Sequence, residues 1–223
     1  MSKPIAAAVL LAVALAPMSL HAQEGAVTGN ASWVSQYYYR GVPQKASSAS
    51  AGVDVEVFPG LGIGTWAADV GDGAEMDFFA SYGLSLGDLS LSLGGTGYFY
   101  TGEYDDTYLE GNLGVGMGMV EVAVAIGQYD TAPDAVNYWF LSGTATGDSG
   151  VYATFGVFGG DDGFYANEGK YVEAGYGWSA ADMDFGISGI WSDEILSGEK
   201  DAIGNATGEL TFVFGVSKGF DIF

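Results

Sequence analysis

Cysteine is absent, and histidine occurs once, as His21, inside an N-terminal apolar stretch. Lysine and arginine together number 6 against 28 aspartates and glutamates, and Arg40 is the sole arginine. Each shortage removes a class of function. Without cysteine there is no disulfide staple and no catalytic thiol. Without a histidine after position 21 there is no imidazole general base, no Ser–His hydrolytic pair and none of the usual zinc ligand sets, so neither catalysis nor a metal or other cofactor is expected. A formal net charge of −22 excludes the basic surface that nucleic-acid phosphates require. Acidity of this degree can mark a disordered chain, but such chains are poor in aromatic residues, and here 14% are Phe, Trp or Tyr.

Long apolar runs are also missing, except at the start. Lys3, the run Ile5 to Ala16, Pro17 and the small residues up to Ala22 have the charged, apolar and small-residue regions of a secretory signal peptide, with cleavage expected after Ala22. That run is shorter than the roughly 18–20 residues of a membrane-spanning helix. Residues 1–22 are therefore read as a signal peptide and 23–223 as one domain, since the 37 glycines are spread along the chain and mark no linker.

What is present is alternation. Leu210, Phe212, Phe214, Val216 and Phe220 share one parity, and Thr211, Gly215, Ser217 and Gly219 the other. Met76, Phe78, Ala80, Tyr82, Leu84 and Leu86 alternate with Glu75, Asp77, Ser81, Gly83 and Ser85, and Val120, Val122, Val124 and Ile126 repeat the pattern. A strand sends successive side chains to opposite faces, so a strand between lipid and a watery lumen must be apolar at every second position. An unpaired backbone amide in lipid costs several kcal/mol, which leaves closure on itself as the way for a sheet to cross.

Twelve such segments are counted, with ten remaining open because residues 61–70 and 138–146 have ambiguous parity. Connections alternate between long (41–47, 71–74, 101–107, 130–136, 159–170, 192–206) and short (Pro59–Gly60, Gly87–Asp88, the reversal at Gly118, 147–150, Ala180–Ala181). Short periplasmic turns and longer outer loops give this rhythm. The expected fold is all-β, a transmembrane antiparallel up-and-down barrel of about twelve strands in a bacterial outer membrane, both termini periplasmic.

The segment SQYYYRGVPQ from Ser35, then GLGIGTWAADV from Gly60 and AEMDFFASYG from Ala74, resembles the TorF-type porins of Gram-negative bacteria in order and spacing, over essentially the whole mature chain. Ser35, Tyr37, Arg40, Gly41 and Gln44 carry the specific part of the resemblance; Pro43 and Ala68 depart from it, where small polar residues are more usual. The resemblance implies an outer-membrane porin.

Parity directs Arg40, Asp54, Glu56, Asp77, Glu110 and Glu173 into the lumen as candidate pore-lining residues, five acids and one base. Acidic walls in a narrow passage concentrate cations, so a passive channel for small hydrophilic solutes and ions with a weak cation preference is expected. The alternative is a plugged barrel serving as a structural or interaction scaffold, since a barrel of twelve strands lies between those filled by side chains and those that leave a channel. Segments 159–170 and 192–206 are the candidate plugs. Arg40 is expected to fork onto an acid such as Glu56, because guanidinium matches carboxylate bidentately, either as a structural salt bridge that pins the first hairpin or as a group that narrows the mouth.

Trp33, Trp66, Trp139, Trp178 and Trp191, with Tyr37 to Tyr39, suit aromatic belts at headgroup depth. Lys218 falls on the outward face near the periplasmic rim, where its cost is about 0–1 kcal/mol. The outer loops hold Glu103, Asp105, Asp106, Asp161, Asp162, Glu168, Asp193, Glu194, Glu199 and Asp201. They are solvated groups with the option of sharing divalent cations with lipopolysaccharide, but their spacing matches no EF-hand loop. The expected partners are outer-membrane lipid and lipopolysaccharide, small solutes, and the barrel-assembly machinery, for which the terminal Phe223 supplies an aromatic end.

Overall fold

The computed structural model describes residues 26–131 and 133–223; the expected signal peptide lies outside the described residues. Twelve strands follow one another: β1 (Val27–Tyr39), β2 (Val42–Phe58), β3 (Leu61–Asp69), β4 (Ala74–Leu86), β5 (Leu89–Tyr100), β6 (Thr107–Met117), β7 (Val120–Asp130), β8 (Val136–Thr146), β9 (Val151–Gly160), β10 (Lys170–Ala180), β11 (Met183–Ser192) and β12 (Glu209–Asp221). Each pairs antiparallel with its sequence neighbours, and β12 pairs with β1, from Thr28 opposite Asp221 to Val34 opposite Gly215. The barrel is closed. Closure leaves no row of free backbone groups along the wall, which matters in a chain without a disulfide to staple it. Beyond β12 the tail continues the seam, Ile222 N donating to Val27 O at 2.8 Å.

Strand β6 shows how sequence sets the two faces. Tyr108, Glu110, Asn112, Gly114 and Gly116 are buried inside, while Leu109, Leu113, Val115 and Met117 are exposed outside. The same outward apolar set continues through Ile63, Phe78, Leu93, Ile126, Leu141, Phe155, Ile187 and Phe212. An outer wall this greasy is an inside-out arrangement for a chain in water and the ordinary one for a barrel in lipid. Lys218 is exposed on that wall, close to the strand end at Asp221.

The two segments of ambiguous parity are strands after all. In β8 the inward residues are Tyr138, Phe140 and Ser142, and in β3 they are Gly62, Gly64, Trp66 and Ala68. Their parity is hard to read because the upper lumen is filled with aromatic rings, so apolar residues lie on both faces there.

The loop rhythm holds from the third connection onward, with one exception at the start. The first connection is only Arg40 and Gly41, no longer than Pro59–Gly60, and residues 42–47, expected in a loop, begin the long strand β2. The reason lies in the lumen.

Candidate functional site in the barrel lumen

Past Val34, β1 loses its partner β12 and pairs with β2 alone, Gln36 opposite Ala46, Tyr37 opposite Lys45 and Tyr39 opposite Val42. Pairing of β2 with β3 begins only at Ser50 opposite Ala68. Residues 35–47 therefore form a two-stranded hairpin that has left the wall. At its base Ser47 takes φ 59° and the Ser35–Ser47 pair drops out of the ladder without a change of register, and further in, between Tyr37 and Tyr38, the register shifts at a bulge that leaves Gln44 unpaired. A bulge bends its strand and re-aims the side chains beyond it.

The hairpin's contacts define where it goes. Tyr37 Oη donates to both carboxylate oxygens of Glu75 on β4, at 3.1 and 3.0 Å, and Tyr39 Oη donates to Tyr98 Oη on β5 at 2.9 Å. Tyr38 Oη donates to Thr211 Oγ1 on β12 at 2.9 Å, and Ser192 Oγ on β11 donates to Gly41 O. A hairpin that meets β4, β5, β11 and β12 lies across the lumen. Its turn has Arg40 at φ 49° and Gly41 at φ 82°; a side chain at position 41 would be both strained and driven into Tyr171 of β10.

Arg40 crosses to β6. Nη1 donates to Glu110 Oε1 at 2.6 Å and Nη2 to Oε2 at 2.9 Å, a bidentate fork with side-chain exposures of 8% and 0%. Tyr138 Oη adds a bond to Oε1 at 2.7 Å and Tyr98 Oη one to Oε2 at 3.1 Å, so both oxygens of Glu110 have two donors. The guanidinium carbon stands 4.8 Å from the ring centre of Tyr39 and 4.5 Å from that of Phe140. Charge, planar donors and aromatic faces are thus matched on one buried group. The expected partner was Glu56, and that is corrected: Glu56 lies near the opposite mouth and accepts from Gly60 N at 3.3 Å. Strand neighbourhood suggested Glu56; the inward fold of the hairpin aims Arg40 elsewhere.

This layer divides the lumen. On the short-turn side is a small cavity lined by Ser92, Thr96, Asn112, Glu121 and Ser142 under Arg40 and Phe140. On the long-loop side is another among Tyr98, Tyr100, Tyr108, Tyr138, Phe158 and Asp105. Its cover includes Phe164 from the loop after β9, stacked on Tyr138 at 4.5 Å and 9°. The expected plug segments contribute here: Phe164 and Leu196 join the buried cluster at this mouth, but the hairpin makes the septum.

All six candidate residues face inward. Asp54 is half-buried beside Gly64, Glu173 is buried and accepts from Tyr152 Oη, and Asp77 is wholly buried with no hydrogen-bond partner on either carboxylate oxygen. The six remain apart except for Arg40 and Glu110. Sequence reasoning missed Glu75 and Glu121 as inward acids, although Glu75 shares the parity of Asp77, and Glu121 that of Ala123 and Ala125. It also put Tyr37 and Tyr39 in the outer belt; the departure of the hairpin from the wall after Val34 takes them inside. Trp66 is corrected likewise, packing edge-on against Tyr37 at 5.8 Å, whereas Trp33, Trp139, Trp178 and Trp191 do face outward.

Several of the outer acids are engaged by nearby donors. Asp105 accepts from Tyr108 and Tyr129, both at 2.8 Å, Asp161 from Asn137 N at 2.9 Å, and Asp193 from Leu196 N at 3.1 Å. Among the described residues no three acidic or other ligating side chains gather closely enough to hold a metal.

A family model of bacterial proteins of unknown function, Gcw_chp, matches residues 21–220. The chain belongs to the Gcw_chp family. No protein of curated function matches it. Among solved structures, the KdgM porin aligns over 86% of this chain and 99% of its own, at 10% identity and a TM-score of 0.55. A chain from work on the in-meso crystallization of membrane proteins aligns over 88% of this one and 84% of its own, at 9% identity and a TM-score of 0.58. At such identities the likeness is one of fold: this Gcw_chp member has the closed antiparallel barrel of an outer-membrane porin, with a hairpin of its own wall folded across it.

Proposed function

We propose that the chain is an outer-membrane channel for small hydrophilic solutes, with a weak preference for cations, held shut by its β1–β2 hairpin in the conformation described. The observation that carries this reading is the charge inside a lipid-facing wall. The lumen's one arginine is committed to Glu110, while Asp54, Glu56, Glu75, Asp77, Glu121 and Glu173 point inward without a basic partner. Acidic rings in a confined passage favour cations. The porin-like fold and the resemblance to TorF-type porins support the same reading.

The test is a reversal potential across planar bilayers with purified, refolded protein in a salt gradient. A channel of this kind gives a potential displaced toward the cation equilibrium value. Zero or anion-directed potentials would reject the preference. The septum favours a second reading, a permanently plugged scaffold, which requires silence even after the Arg40–Glu110 fork is removed. Protein that stays monodisperse without detergent would reject both.

A further inference from the structure

Asp77 is 0% exposed, and neither of its carboxylate oxygens has a hydrogen-bond partner. It sits toward the long-loop end of β4, three residues from the strand's start at Ala74, opposite Trp66 of β3 and Tyr98 of β5. Two residues along the same inward face is Glu75, 1% exposed, roofed by the hydroxyl of Tyr37 from the folded hairpin. The only arginine is occupied elsewhere, with two more hydroxyls on its acid. Among the described residues the lysines do not serve either: Lys45 pairs with Asp69, Lys170 stands 3.8 Å from Asp193, Lys200 is exposed in the loop after β11 and Lys218 is exposed on the outer wall. A buried carboxylate with neither donor nor counter-charge is strongly disfavoured, so this corner favours either a proton on Asp77 or a cation beside it.

We infer that Asp77 and Glu75 hold a dehydrated alkali-metal cation, Na⁺ or K⁺, between the wall and the closed hairpin. The chemistry of the corner selects this class. Two carboxylates supply hard oxygen donors, but no third acid joins them to make a divalent site. Trp66 and Tyr98 are the cross-strand neighbours of Asp77, and Tyr37 packs edge-on against Trp66, so aromatic rings flank the pair, and an aromatic face attracts a bare cation. The hairpin's Tyr37 roofs the site only when the septum is shut, so cation occupancy stabilises closure. The inference rests on the reading of the lumen as an acidic passage and names its bound ion, and its test needs no current to flow.

The probe is the alkali cation itself. Thermal unfolding of the detergent-solubilised protein is compared in KCl or NaCl and in N-methylglucamine chloride of equal ionic strength, the latter cation being too bulky to enter. At a concentration tenfold above the dissociation constant the melting temperature rises by roughly 3–6 °C in the alkali salts. Asp77→Asn, which copies the neutral acid, abolishes the difference. A wild-type protein indifferent to the cation, or an Asn variant that keeps the difference, overturns the site and leaves a proton on Asp77. Should the variant fail to fold, thallium(I) soaked into wild-type crystals decides: an anomalous peak beside Asp77 supports the site, and its absence there overturns it. A silent bilayer recording would reject the channel without touching this result.

Discussion

Arg40→Ala tests the septum. In the closed conformation the substitution deletes two charge-assisted bonds of 2.6 and 2.9 Å and leaves Glu110, 0% exposed, with only the hydroxyls of Tyr98 and Tyr138. Breaking one partner of a buried ion pair costs about 3–5 kcal/mol, chiefly because the survivor is left charged and dry. With the hairpin withdrawn, Glu110 faces a wet lumen and that penalty vanishes. The cost therefore falls almost wholly on the closed state. At about 1.4 kcal/mol per factor of ten, even 3 kcal/mol raises the ratio of open to closed more than about a hundredfold. Single-channel recording reads this as open probability. Arg40→Lys retains the charge without the planar fork and should fall between the two. The wall is spared, since the substituted residue lies in the turn between β1 and β2 and takes no part in the barrel seam. An Arg40→Ala protein that is folded, inserted and as quiet as the wild type would refute the latch.

Replacing Glu56 and Glu121 by glutamine removes two acids near the short-turn mouth, so the reversal potential should move toward zero with conductance largely kept; an unchanged potential would place selectivity elsewhere. Leu113, 50% exposed at the middle of β6, should cost about 2–4 kcal/mol when changed to arginine, whereas Val120 beside the Gly118–Met119 turn should cost about 0–1. Urea unfolding from lipid vesicles compares them, and equal costs would deny that these residues lie at different depths. In the loop after β11, Asp201 accepts from Asn205 N at 2.9 Å and Ile203 N at 3.0 Å, which lowers its pKa from the ordinary 3.8. A group depressed in the folded state contributes order above its unfolded pKa and loses it as pH falls through the folded one. Carbon-13 titration of that carboxylate should read a midpoint below 3.8, and a midpoint at or above it would show the loop is not held this way.

The wall was legible because lipid and water impose a period of two, and the six inward candidates followed from parity alone. Legibility failed where a residue's surroundings were not set by that rule. Tyr37 and Tyr39 keep the parity of Trp33, and nothing in the local sequence announces the break at Ser35 and Ser47 beyond which the hairpin leaves the wall and carries them inside. Trp66 looks like a belt residue because a tryptophan at a rim and one packed on a plug have the same composition. Arg40's direction into the lumen could be read, but not its partner, which lies on β6 and depends on how far the hairpin tip travels. The sole clue was the pairing of one arginine with glycine in a tyrosine-rich segment, which fits a tight turn as well as a loop.

The way the hairpin is held says what kind of closure it is. A strand docked into a sheet is fixed by a ladder of backbone bonds, and freeing it breaks them all together. Residues 36–46 form such bonds only with each other, and among the described residues the wall's side chains reach the hairpin backbone at two points, Ser192 to Gly41 O and Tyr104 to Gln44 O. Closure then depends on a handful of side-chain contacts, dominated by Arg40 on Glu110 and Tyr37 on Glu75, while the barrel seam is indifferent to it. A segment so held can withdraw without unfolding the wall, which is what a gate requires and a permanent core does not.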